Sequence, residues 1–139
     1  MSPALKLSFV GSGLFLLSGF TTGVWKYRKI MTSASHRAPV YVDTAHRASL
    51  LYSFAALVIA QFVQLAPYST PVELAAAGAP LFFFAVTIAV YVVQGYLDRT
   101  DNQFSERNFI TTSGMYLLIA GEIGGFAVLF WGFLSSEIF

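Results

Sequence analysis

Four apolar runs, each spanning ~20 residues or more, dominate this sequence. A helix needs about that length of largely apolar chain to cross a lipid bilayer. The runs therefore predict an all-α integral membrane protein, a four-transmembrane-helix bundle that occupies residues 1–139 as a single transmembrane domain. The predicted helices are about 5–27, 46–65, 72–96 and 108–133.

The composition supports a lipid environment and excludes several kinds of site. Hydrophobic residues make up 56% of the chain and charged residues 11%, whereas soluble domains typically carry about 25% charged residues. The chain has no cysteine, which excludes disulfides, thiolate-bound metals and covalently attached c-type haem. A formal net charge of +1 gives no reason to expect nucleic acid as a partner. The first apolar run is too long for a cleavable signal peptide, so we expect a retained helix.

The basic residues predict an orientation in the cell inner (cytoplasmic) membrane. Seven of the eight Lys and Arg residues lie in or beside the first and third loops, and the turn at 66–71 has none. Loops rich in Lys and Arg stay in the cytoplasm. We therefore expect loops 26–47 and 97–107 to be cytoplasmic, with both termini outside.

Two glycine pairs suggest close helix packing. Gly19 and Gly23 are four residues apart in the first predicted helix, as are Gly121 and Gly125 in the fourth. Small residues at this spacing let membrane helices approach closely, either within one chain or between subunits. We favour contacts within the chain. Because four helices enclose little interior, a site large enough for a cofactor is expected between subunits of an oligomer.

His46, where the first polar loop meets the second helix, is the candidate metal ligand. A lone histidine cannot form a zinc site, but it can hold a haem, because the porphyrin supplies the other donors. Ser49, Leu50 and Ser53 lie one or two turns further on and are mostly small, which would leave room for a flat ring. His36, in the middle of the loop, is expected to be solvated.

A second interpretation of His46 remains open on the sequence alone: the imidazole can simply anchor a helix end among the lipid headgroups. If a haem is present, its propionates would meet basic side chains near the same surface. Lys29, Arg37 and Arg47 are the candidates.

Glu122 stands near the middle of the fourth predicted helix. An ionisable group at that depth costs ~2.5–3.5 kcal/mol even on the lenient insertion scale, so we expect it to face protein or water. No second intramembrane ionisable group is evident for a proton relay. We therefore expect a neutral carboxyl that is hydrogen-bonded to another helix.

Short motifs in a fixed order resemble the styrene oxide isomerase family of small four-helix membrane enzymes. They are Gly23-Val24-Trp25 at the end of the first helix, Ala45-His46 at the start of the second, Tyr91 near the end of the third, and Asn102-Gln103-Phe104 before the fourth. The resemblance implies a homotrimer that binds haem b between subunits, with His46 as the ligand of a ferric iron. It also implies isomerisation of an apolar (aryl) epoxide to an aldehyde, through Lewis-acid ring opening and a 1,2-hydride shift.

The chain departs from the family at two pocket positions. Tyr52 stands where the family has an asparagine, and Phe83 stands where it has an acidic residue. The haem ligand and the pocket tyrosine, Tyr91, carry over. We therefore take Tyr91 and Tyr52 as the candidate catalytic residues, and the resemblance does not imply styrene oxide itself as the substrate. Faces of Phe83, Phe84 and Tyr91 could stabilise a carbocation by cation–π attraction.

Two alternative functions remain open. One is a non-catalytic haem-binding subunit for electron transfer or sensing, although such haems usually have two strong axial ligands, and with His36 in the loop a second ligand histidine is lacking. The other is a cofactor-free structural membrane protein, in which His46 is a headgroup anchor.

Overall fold

A computed structural model describes residues 1–136 of the chain, and within them it contains helices and no strands. The four long helices are α1 (Pro3–Thr32), α2 (Val40–Leu65), α3 (Thr70–Leu97) and α4 (Ser113–Leu134), with a short 3-10 helix, η1 (Gln103–Ser105), before α4. All four long helices are long and apolar enough to cross a membrane. The predicted all-α membrane fold with four spanning helices is confirmed.

The helix boundaries differ from the predicted ones at both polar loops. α1 continues to Thr32 rather than about residue 27, and α2 begins at Val40 rather than at about residue 46. Pro39 occupies the N-cap of α2, where its extended backbone (φ −53°, ψ 146°) precedes the helix and its missing N–H removes no helical hydrogen bond. An ion pair between Lys26 of α1 and Asp43 joins α1 to the added first turn of α2. His46 therefore lies in the second turn of α2.

The fourth helix begins later than predicted, at Ser113 instead of about residue 108. Asn108 and Thr111 form two reciprocal hydrogen bonds, in which each backbone N–H donates to the other residue's side-chain oxygen, at 2.9 and 3.0 Å. Asn and Thr side chains compete in this way with helical hydrogen bonds. The segment before α4 is consequently a turn.

The glycine pairs make contacts within the chain, as expected. A Cβ on Gly19 would lie 2.5 Å from Leu50 of α2, and one on Gly121 would lie 2.2 Å from the Phe83 ring of α3. A Cβ on Gly125 would lie 2.6 Å from the carbonyl oxygen of Ala76. These glycines let α1 pack on α2 and α4 on α3, where dispersion forces replace the hydrophobic effect.

The helices pack in chain order around a core in which small side chains, mainly alanine and serine, outnumber the larger aliphatic and aromatic ones. α1 packs mainly on α2, α3 lies against both α2 and α4, and α4 is the least covered of the four. Large apolar side chains are exposed along all four helices, as expected for a surface that meets lipid or a second subunit. The first and third loops meet at one end of the bundle.

Candidate functional site

His46 packs into the groove between α1 and α2. Its Nδ1 atom lies 2.8 Å from the backbone carbonyl oxygen of Gly19. A Cβ on Gly23 would come within 2.9 Å of the imidazole Cε1 atom, so only a glycine leaves room for the ring here. Because a carbonyl oxygen can only accept, the hydrogen bond places the proton of a neutral ring on Nδ1.

The other ring nitrogen, Nε2, is left with its lone pair. Within residues 1–136 no hydrogen bond to Nε2 is found, and Nε2 is not among the buried unpaired polar atoms. It therefore reaches the surface of the single chain. Metal-bound histidines usually donate their second N–H to a carbonyl or carboxylate, which fixes the tautomer and the ring orientation. His46 has this arrangement.

The small residues that follow His46 do not provide the open surface expected from the sequence. Ser49 is fully buried and its hydroxyl lies 3.1 Å from that of Ser18 of α1. Ser53 is also buried, and its hydroxyl donates to the Leu50 carbonyl oxygen. Because α1 covers this face of α2, a flat ring bound to Nε2 has to approach from outside the α1–α2 groove.

A separate, largely apolar cavity of about 460 Å³ lies between α3 and α4, with η1 at its polar end. Tyr52 and Tyr91, the two candidate catalytic residues, both line this cavity. Phe83, Thr87 and Tyr91 follow one another at four-residue spacing on α3 and line it as well, so they share one helix face. The structure thus brings the two tyrosines to one site.

Segment 102–104 closes the polar end of this cavity. Gln103 and Phe104 line it, and the Gln103 backbone N–H donates to the hydroxyl of Tyr41 from the first turn of α2. The rings of Tyr41 and Tyr91 stack with centroids 5.9 Å apart. The Asn-Gln-Phe motif is therefore tied through Tyr41 to the pocket tyrosine Tyr91.

The Tyr52 ring forms one wall of the cavity. It stacks on Phe84 with centroids 4.2 Å apart and an angle of 6° between the planes. Of the two adjacent phenylalanines considered for cation–π contacts, Phe83 lines the cavity with Tyr91, whereas Phe84 lies behind Tyr52 and borders a second cavity. Phe83 also covers Gly121, so its ring is held by α4.

The basic side chains that were considered for propionates lie at the polar end of the bundle. Lys29 and Arg37 line a surface depression together with Asp98 and Asp101, so the depression carries both signs of charge. Arg47 is mostly exposed and lies 3.7 Å from Asp43. His36, with a φ of 51°, is exposed in the loop, as expected.

His46 does not line the cavity that holds Tyr52 and Tyr91 in the same chain. Nor do residues 1–136 contain any cluster of three His, Cys, Asp or Glu side chains that could bind a metal ion. Sequence reasoning missed Thr87 and Tyr41 as site residues. The four-residue spacing of Thr87 from Tyr91 could have indicated Thr87, whereas Tyr41 was assigned to a loop.

Comparisons with protein-family models, with curated proteins and with solved structures found no match to this chain. The resemblance to the styrene oxide isomerases therefore stays a prediction that depends on the quoted motifs.

Proposed function

We propose that this protein is a haem-b-dependent membrane isomerase that converts apolar epoxides, aryl epoxides in particular, into aldehydes. The observation that carries the proposal is the His46 ring, whose Nδ1 is hydrogen-bonded to the Gly19 carbonyl and whose Nε2 is free at the chain surface. The order of the sequence motifs and the apolar cavity lined by two tyrosines support it further.

The residues present would fit a haem that is held by one histidine, His46. Gly23 and Gly19 form the cradle in which the imidazole rests, and the hydrogen bond to the carbonyl raises the basicity of Nε2. The chemistry that ferric haem b supplies when bound is Lewis-acid polarisation of the epoxide oxygen. Nε2 reaches the surface of the chain, where a site shared with a neighbouring subunit can form. In line with the resemblance, we propose a homotrimer with shared sites.

The cavity between α3 and α4 suits an apolar substrate with one oxygen. Its walls are largely apolar, so it excludes water from a carbocation that would otherwise be hydrated to a diol. The hydroxyls of Tyr91 and Tyr52 can donate to the substrate oxygen and hold it in one orientation. The faces of Phe83 and Tyr91 can stabilise positive charge on the adjacent carbon.

Spectroscopy of the detergent-purified protein tests the cofactor assignment. We expect a Soret band from the wild type after expression with a haem precursor, and none from His46→Ala. His36→Ala is the matched control, because it removes the other histidine, which is exposed in the loop. α2 keeps its apolar run in the variant, so His46→Ala should still insert.

Turnover of aryl and alkyl epoxides to aldehydes tests the reaction. Tyr91→Phe should keep the haem spectrum and lower turnover about twofold to tenfold, the range for one lost hydrogen bond. Tyr96→Phe is the control, since Tyr96 is exposed on the same helix. A normal haem content in His46→Ala would refute the ligand assignment. A haem-loaded protein without isomerase activity would favour a haem-binding subunit, and a wild type without haem would favour a structural protein.

A further inference from the structure

Glu122 is a half-buried acid, with its Oε1 atom buried, to which the proposed chemistry gives no role. It lies on α4 and lines a second cavity of about 550 Å³. Ala55 and Phe84 line the same cavity. Ala55 is one helical turn from Tyr52 on α2, and Phe84 is the ring on which Tyr52 stacks. The Tyr52–Phe84 stack therefore lies between Glu122 and the cavity where Tyr91 lies.

The hydrogen-bonding groups on the two sides of this stack are unsatisfied. Within residues 1–136, the Oε1 atom of Glu122 and the Oγ1 atom of Thr87 are buried without a hydrogen-bond partner. Buried polar oxygens are normally paired, directly or through an ordered water, because an unpaired group loses its hydration without replacement. Both unpaired oxygens belong to residues that surround Tyr52, so one hydrogen-bonding group could satisfy both.

Tyr52 is the group that can pair with both. Its side chain lines the cavity with Thr87, and it stacks on Phe84, which lines the second cavity together with Glu122. A phenol can donate one hydrogen bond and accept others, and a neutral carboxylic acid can donate its own proton. No basic side chain lies on α4, and none lines either cavity, so no cation is present to stabilise a carboxylate there.

We infer that Glu122 is a positioning residue: as a neutral carboxylic acid it donates a hydrogen bond to the Tyr52 hydroxyl, directly or through one water, and so fixes the direction in which that hydroxyl points into the substrate cavity. The Thr87 hydroxyl completes the cluster from α3. The link joins α4, the least covered helix, to α2 across the bundle. Its role in catalysis depends on the proposed isomerase function, but the hydrogen bond itself does not.

Infrared spectroscopy of the membrane-reconstituted protein tests the hydrogen bond without reference to haem or turnover. The wild type minus Glu122→Gln difference spectrum should contain the C=O stretching band of a protonated carboxyl group. The same difference recorded in a Tyr52→Phe background should show the band shifted. Tyr116→Phe is the matched control, because Tyr116 is exposed on α4, and it should leave the band unchanged. A missing band, or one that Tyr52→Phe does not shift, would overturn the inference.

Turnover then tests the positioning role. Glu122→Gln keeps a donor of the same shape and should retain wild-type turnover within about twofold, whereas Glu122→Leu should lower turnover as much as Tyr52→Phe does. Because the two residues act through one hydroxyl, the double variant should be no slower than either single variant. Additive losses would contradict the positioning role. If the wild type isomerises no epoxide, the proposed function fails while the infrared result still decides the hydrogen bond.

Discussion

Substitution of Gly23 by alanine should displace the His46 ring and weaken its hydrogen bond to the Gly19 carbonyl. The added Cβ would lie 2.9 Å from the imidazole Cε1 atom and 3.1 Å from Nδ1. Carbon atoms in contact prefer a separation of about 3.5–4.0 Å, so the ring has to retreat by about 0.6 Å or more. The Nδ1–Gly19 oxygen distance is 2.8 Å, and a retreat of that size takes it beyond a normal hydrogen bond.

The magnitude follows from three terms. Overpacking costs about 1–3 kcal/mol, the lost hydrogen bond about 0.5–1.5 kcal/mol, and the higher helix propensity of alanine returns about 0.8–1.0 kcal/mol. We expect a net loss of about 0.5–3.7 kcal/mol in stability. Loss of the group that orients a ligand histidine typically costs 10-fold to 100-fold in affinity. Haem affinity of Gly23→Ala should therefore fall by about that factor.

Gly13→Ala is the matched control on the same helix, since a Cβ there meets nothing within 4 Å. Haem titration followed at the Soret band gives the affinities, and thermal unfolding in detergent gives the stabilities. Gly13→Ala should bind haem like the wild type and unfold at an equal or higher temperature. If Gly23→Ala binds haem as tightly as Gly13→Ala does, the idea that Gly23 makes room for the ligand ring is refuted.

Two further predictions concern packing and topology. Gly125→Ala should destabilise the protein by about 1–3 kcal/mol in thermal unfolding, because its Cβ would lie 2.6 Å from the Ala76 carbonyl oxygen and the backbone cannot move aside. Gly124→Ala, whose Cβ meets nothing within 4 Å, should be neutral. Equal stabilities of the two variants would contradict the α3–α4 contact. Reporter fusions in the turn at 66–69 and at the C-terminus should both report the outer side of the membrane, since the basic residues lie in the loops at the opposite end. A cytoplasmic signal at either site would contradict the predicted topology.

The sequence was sufficient to predict the membrane helices but not their ends. Apolar length decides whether a segment enters the bilayer, and it is visible without any tertiary contact. The start of α2 was hidden, because Val40-Tyr41-Val42 has no apolar helical period and looks extended in isolation. Tyr41 and Val42 are both buried against neighbouring helices, and this packing outweighs their weak helix propensity.

The candidate site was predicted in its parts but not in its arrangement. His46, Tyr52 and Tyr91 were recognisable by residue type and motif, and the two tyrosines do share a cavity. Which neighbouring helix each side chain meets depends on how α2 is rotated about its axis. Tyr52 follows His46 by six residues, about 240° around an α-helix after whole turns are removed. The two side chains therefore lie on different sides of α2, which the spacing could have indicated.

This angular separation leads to a test of how a complete site is assembled. If the site is formed by His46 of one subunit and the cavity of its neighbour, two defective subunits should complement each other: one that lacks the ligand histidine and one whose cavity is filled. His46→Ala supplies the first, and Val90→Trp, at a cavity-lining position on α3, supplies the second. Equal random mixing leaves about a quarter of the shared sites with both parts intact, so co-expression should restore about that share of wild-type turnover. Native mass spectrometry of the same preparation should show mixed trimers. Mixed trimers without recovered activity would mean that His46 and the cavity of the same chain form each site.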